Sequence, residues 1–513
     1  MLIKCLMLTV FFAVMIGIGL YCRSHAADVK GFVLGGRSVG PWLTAFAYGT
    51  SYFSAVIFVG YAGQFGWKYG IASTWIGIGN ALIGSMLAWI VLGRRTRIMS
   101  QYLDSATMPE FFGQRFQSRP LKIGASLIIF LFLIPYTASL YNGLSRLFSM
   151  AFSIDYTICI VLMAVFTGIY VIAGGYMATA INDFIQGIIM LIGIAAVIAA
   201  VLCSKGGFMN ALQDLAAVED ASVSSSPGVF ASFFGPDPLS LLSVILLTSL
   251  GTWGLPQMVQ KFYAIRSETA IQTGMIVSTV FALIVAGGCY FLGGFGRLFS
   301  ESIDVAVNGY DSIIPTMLSD LPDVLIALVI ILVLSASMST LSSLVIASSS
   351  TLTIDVIKDN IVADMSEKKQ LNCIRFLIVV FIAVSVVIAI IQYKGNLSFI
   401  AQLMGISWGA LAGSFLSPFL FALYWRKTSL AACWTCFLFG SGVMIANMLF
   451  PQLFPPLLQS PINAGAFVML AGIVIVPVVS LLTPKPDSIF IRHAFACYEK
   501  KVEAAQKLTL GGK

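Results

Sequence analysis

Thirteen runs of mainly apolar residues follow one another along this chain, each about 20 residues long and so able to cross a hydrocarbon layer of roughly 30 Å. They cover residues 2–22, 41–65, 72–93, 123–150, 157–177, 183–203, 238–258, 271–295, 323–347, 374–393, 398–424, 430–450 and 463–483. In lipid each segment must satisfy its own backbone amides and carbonyls, which leaves helices as the building unit. The composition agrees, with 58% hydrophobic and 10% charged residues and a mean hydropathy of +0.95. The expected fold is an all-α integral membrane protein with about thirteen transmembrane helices.

Basic residues set the expected orientation. Of the 29 Lys and Arg, 23 fall in segments that thirteen crossings place on one side: 23–37, 94–122, 261–266, 358–375, 426–427 and 485–513. The positive-inside rule makes that side cytoplasmic, with the N-terminus outside and the C-terminus inside. The net charge of +7 is then a topology signal, and no nucleic-acid partner is expected. The first apolar run is longer than a signal-peptide core and is followed by Arg23, Lys30 and Arg37, so it reads as a retained helix. Nine cysteines lie scattered, mostly within apolar runs, and Cys433 and Cys436 form one pair without a second. With two histidines, His25 and His493, both in inner loops, the chain offers no nucleophile, zinc or disulfide framework and no enzyme is expected.

The polar linker 204–237 separates two sets of five runs whose opening helices cross in opposite directions, the pattern of an inverted repeat. The expected division is an extra helix and inner loop over 1–40, a first repeat over 41–203 and the linker 204–237. A second repeat over 238–424, two helices over 425–483 and a cytoplasmic tail over 484–513 complete it. Both opening helices are interrupted at corresponding places, by Tyr48-Gly49-Thr50-Ser51 and by Gly251-Thr252-Trp253-Gly254-Leu255-Pro256. Matched interruptions point to unwound helices around a midplane site, although Gly and Pro also cause simple kinks. The third run of the second set carries SASMSTLSSLVIASSS at 335–350, with Ser335, Ser339 and Ser343 recurring every four residues beside Ala336, Thr340 and Ser342. Such a face either packs closely against another helix or offers oxygens to a cation. Asp183, placed by this reading where the sixth run begins, is either a helix N-cap or a functional carboxylate.

The segments GGRSVGPWLTAFAYGTSYFSA (35–55), GRRTRIMSQYLDSATMPEFFGQRF (93–116), GGYMATAINDFIQG (174–187), SLGTWGLPQMVQKFYAI (249–265) and SASMSTLSSLVIASSSTLTIDVIK (335–358) resemble, in order, the signature segments of the sodium/solute symporters. The resemblance extends over about residues 30–430. It implies a LeuT-type five-plus-five inverted repeat that couples uptake of a small solute to sodium by alternating access in a cell membrane. It further implies a sodium site made by carbonyls of Thr50, Phe53 and Ala336 and hydroxyls of Ser339 and Thr340. Some members bind a second sodium, and Asp183, Ser339, Ser342 and Ser343 match those ligands, although Asn182 stands where many members have threonine. Candidate solute contacts are Ser51, Tyr52, Ser54, Tyr136, Asn142, Trp253 and Gln257.

The proline-transporting branch has acidic residues where this chain has Tyr52 and Ser73, which weighs against proline. The segment Thr50–Ala55 is closer to pantothenate and monocarboxylate-like members, so an organic anion or zwitterion is expected, with a proline-type or sugar symporter as the alternative. Arg146 either attracts a carboxylate or snorkels to the interface. A channel would need a continuous polar pore, and a membrane sensor would need an output module longer than the tail.

Overall fold

A glycine at positive φ can turn a chain within one residue, and two such glycines explain how these helices divide. The computed structural model describes residues 2–498 apart from 153, 225, 304, 306–308, 320, 363–364 and 396–399, so the end of the expected tail lies outside the described residues. Among the described residues, ten helices are long and apolar enough to cross a membrane, eleven if the bent pair Pro238–Gly254 and Pro256–Ala264 counts as one crossing. Two of the ten, Val56–Tyr102 and Tyr156–Ser204, have 47 and 49 residues. At about 1.5 Å per residue each is long enough for two crossings. Each contains a glycine at positive φ, Gly70 at 60° and Gly175 at 56°. The thirteen separate runs of the sequence thus appear as ten or eleven continuous helices, because a one-residue turn leaves no loop between neighbours.

Gly175 has φ 56° and ψ −151°, a conformation closed to side-chain-bearing residues. An added Cβ would also lie 3.0 Å from the carbonyl oxygen of Phe32. Gly175→Ala is expected to cost about 2 kcal/mol of stability, measured as a lowered midpoint of thermal unfolding in detergent.

Both opening helices break by the same local device. The helix Pro41–Tyr52 stops at Phe53, which is extended at φ −98° and ψ 127°. The Ser54 carbonyl then accepts from the amides of Ile57 and Phe58, both at 3.0 Å, and starts the next helical stretch. In the second repeat Leu255 is extended at φ −80° and ψ 125°, as steric clash with the following proline favours. Its carbonyl accepts from Met258 and Val259, both at 3.1 Å, and the axis bends by 48°.

The serine-bearing helix Asp323–Thr351 occupies the centre of the bundle. It packs on Tyr156–Ser204, Arg119–Phe152, Glu367–Gly395 and Pro41–Tyr52, and every residue from Val329 to Thr351 is buried. Large apolar side chains such as Leu127, Leu131, Ile158 and Val165 are exposed on peripheral helices, as a lipid-facing surface requires.

Candidate sodium and solute site

Where Pro41–Tyr52 ends, its last carbonyls lose their helical donors. Thr340 of the serine helix faces them. Its hydroxyl oxygen lies 3.4 Å from the Thr50 carbonyl, 3.2 Å from that of Phe53 and 3.1 Å from that of Ala336. A hydroxyl has one proton, so three carbonyls around it exceed what it can satisfy. Ser339 donates to the Thr50 hydroxyl at 2.7 Å, and Thr50 donates on to the Phe46 carbonyl at 2.8 Å. Three carbonyls and the Thr340 hydroxyl, all on buried residues, therefore converge, and the Ser339 hydroxyl adjoins them through Thr50. An all-oxygen set of this kind suits a hard alkali cation. The five residues expected at the first sodium site are thus brought together.

The expected second site has a different content. Asp183 is not at a helix start. Its helix turns at Gly175, which leaves Asp183 two helical turns inside the second half and fully buried, so the N-cap reading is excluded. Lys261, from the short helix Pro256–Ala264, enters the same space and is 1% exposed. Its Nζ donates to the Ser343 hydroxyl at 3.0 Å, stands 3.9 Å from Oδ2 of Asp183 and lies 5.0 Å from the centre of the Tyr176 ring. Ser343 bonds to Ser51 at 2.9 Å, while Ser342 donates to the Ser339 carbonyl at 2.8 Å. Ser51, expected among the solute contacts, therefore belongs to the Asp183 cluster. The sequence reading missed Lys261 because it counted the residue among inner-loop charges.

The remaining solute candidates divide. The hydroxyls of Ser54 and Tyr136 are both buried, and Ser54 and Trp408 stand beside the Tyr136 hydroxyl. The Trp408 ring lies edge-on to Tyr136 at 5.9 Å and covers Gly251 in the second broken helix. Ser54, Tyr136 and Trp408 thereby join the two interruptions. Gln257, fully buried just beyond the second break, has no hydrogen-bond partner for either amide atom among the described residues. Trp253 anchors its indole N–H on the Ile83 carbonyl at 3.0 Å. Asn142 is engaged elsewhere, donating to Gln392 at 3.2 Å and accepting from Tyr156. The Tyr52 side chain lies outside the described residues. Ser73 donates to the carbonyls of Gly70 and Tyr290, both at 2.8 Å. Arg146 faces Asp311 at 3.8 Å, with its own side chain about a third exposed. Trp408, like Lys261, escaped the sequence reading, since an aromatic within an apolar run carries no positional signal.

A polar cavity of about 1330 Å³ lined by Gln64, Lys68, Asp220, Arg297, Tyr310 and Gln402 opens beside the loops 204–237 and 296–322. Arg297 holds Asp220 at 2.9 Å, and hydrogen bonds from Ser222 and Arg297 keep the Asp220 carboxyl below the ordinary carboxylate range. At the opposite end the backbone is stapled. Val39 donates to Ala264 at 3.4 Å and accepts from Arg266 at 3.1 Å. Arg37 adds bonds to the carbonyls of Ser105 at 2.6 Å and Tyr263 at 3.1 Å. The polar cavity and the backbone staple thus lie at opposite ends of the bundle.

The sodium:solute symporter family model matches residues 32–440. The sodium/proline symporter of Staphylococcus aureus (strain JH9) is 29% identical over 497 residues, covering 94% of this chain and 93% of the relative. A Na+-coupled sialic acid symporter, solved in a substrate-bound outward-open state, superposes with a TM-score of 0.72 at 15% identity over 94% of this chain and 99% of its own. A manganese transporter of Eremococcus coleocola superposes at 0.51 with 13% identity, over 91% and 96%. These likenesses show the LeuT-type fold. With the oxygen pocket at the first helix break, and a family match over most of its length, the chain belongs to the sodium:solute symporter family and is a multi-pass, sodium-coupled solute symporter.

Proposed function

We propose that this symporter imports a small carboxylate-bearing solute, an organic anion or zwitterion, with sodium held by the carbonyls of Thr50, Phe53 and Ala336 and the hydroxyls of Ser339 and Thr340. The carrying observation is the Thr340 hydroxyl ringed by three carbonyls from two helices. The repeats 41–203 and 238–424 flank the site, in a plasma membrane with the N-terminus outside and the C-terminus cytoplasmic. Open on the outer side and stapled on the inner, the bundle fits one limit of an alternating-access cycle.

The solute class is argued from charge. The first break presents the carbonyl end of a helix, which suits a cation, and the second presents the amino end of Pro256–Ala264, where the backbone dipole favours an anion. Gln257, with its amide unpaired, sits at that amino end and supplies a donor for a carboxylate. The Staphylococcus aureus relative favours proline as a second reading, since proline is a carboxylate-bearing zwitterion. Uptake of labelled proline, monocarboxylates, pantothenate and sugars into proteoliposomes, with and without an inward sodium gradient, decides between them. Uptake limited to uncharged sugars would exclude the carboxylate reading.

Gln257→Ala is expected to raise the half-saturating solute concentration about tenfold, the loss of one hydrogen bond to a charged group. Trp253→Ala is expected to act in the same direction by opening the enclosure around the solute. Initial uptake rates against solute concentration at saturating sodium check both, and unchanged solute dependence in the two variants would move the solute elsewhere.

A further inference from the structure

We propose that the Lys261 ammonium is the resident cation of the Asp183 pocket, so that the transporter binds sodium at the Thr340 site alone. The inference rests on the sodium reading of the Thr340 site. It starts from a cluster that packing alone does not explain. Asp183 and Lys261 are both buried, one at 0% and the other at 1% exposure, and come from different repeats. No charged group other than the partner acts on either of them among the described residues. Ser339 is the hydroxyl that stands toward the Asp183 carboxylate, and neither Asp183 oxygen accepts a hydrogen bond of ordinary geometry among the described residues. They lie in a space bordered by Ser339, Tyr170 and Tyr176, where an ionised carboxylate needs a cation beside it.

Lys261 meets that need. Its Nζ is fixed by the Ser343 hydroxyl at 3.0 Å and by the face of Tyr176 at 5.0 Å, which holds it 3.9 Å from Asp183. By donating to Ser343 the ammonium takes up one lone pair of that oxygen, and Ser343 shares a further hydrogen bond with the Ser51 hydroxyl 2.9 Å away. One of the expected sodium ligands is thereby spent on lysine. One carboxylate and one ammonium also leave the pocket neutral. A sodium added there would put a second positive charge within contact distance of the first in a medium of low dielectric, with no second anion to offset it. The Thr340 site adjoins this pocket at Ser339, but Lys261 bonds to none of its five oxygens.

The test is equilibrium binding of radiolabelled sodium to the purified full-length protein, with no solute present. The parent should bind about one ion per chain at saturation and Lys261→Met about two, because removal of the ammonium frees Asp183 and Ser343 for sodium. Asp183→Asn combined with Lys261→Met should return the count to about one, and Lys261→Arg should leave it at about one. Thr340→Ala in the Lys261→Met background should weaken binding of the other ion by about ten- to a hundredfold. Two ions in the parent, or one in Lys261→Met, would overturn the proposal while leaving sodium coupling intact. A parent that binds none would overturn the sodium reading as well. The parent count and the charge-neutral double variant decide the matter even where Lys261→Met does not accumulate.

Discussion

Thr340→Ala is expected to raise the sodium concentration for half-maximal uptake by about ten- to a hundredfold, because a hydrogen-bonding group turned toward a charge is worth about 1.5–3 kcal/mol and each 1.4 kcal/mol is a factor of ten. The solute concentration for half-maximal uptake, measured at saturating sodium, is expected to change less than about threefold. The asymmetry follows from geometry. Thr340 touches the carbonyls of Thr50, Phe53 and Ala336, whereas Ser54, Tyr136 and Trp408 form a separate group between the two breaks. Ser339→Ala should act in the same direction and also release Thr50, its hydrogen-bond acceptor. Uptake that continues when choline replaces sodium, driven by a proton gradient, would refute the assignment.

The largest structural effect is expected at Gly293. A Cβ there would fall 2.0 Å from the Ala62 carbonyl oxygen, and one on the facing Gly66 would fall 2.0 Å from the Gly293 carbonyl oxygen. Backbone meets backbone at this crossing, so no side chain can rotate aside. Gly293→Val is expected to cost about 3 kcal/mol or more and to leave little monodisperse protein on size-exclusion chromatography. Gly17→Ala is the control, since nothing lies within 4 Å of its added Cβ, and it should change the unfolding midpoint by less than the equivalent of about 0.5 kcal/mol. Equal yields for the two variants would mean that the crossing is looser than described.

Local sequence carried the breaks because each is a local event. Leu255 is extended next to Pro256, and the first break sits among glycine and hydroxyl residues that compete with helical bonding. The serine stripe left packing and ion binding open, and only Thr340 among three carbonyls separates them. Asp183 was misplaced for a physical reason. The turn at Gly175 lies inside a continuous apolar stretch, so hydropathy alone set the sixth crossing to begin near 183 and not at the glycine. Lys261 was lost in the same way, since the span was ended at 258 while the helix continues to Ala264 and is buried throughout. What makes that lysine tolerable is a carboxylate 78 positions earlier in the sequence, at the far end of a tertiary contact that no local pattern reports.

The Thr340 oxygen set has a kinetic consequence. Thr50 and Phe53 belong to the first set of helices, and Ala336, Ser339 and Thr340 to the second, so a bound ion is a rivet through the seam between them. An ion at the proposed site would be gripped half by each side and would leave when the seam opens, since an open seam keeps too few oxygens to hold another. Escape of sodium without cargo is then limited by how often two packed helices part, which ties the leak of the membrane gradient to a motion of the protein and not to the strength of any one ligand.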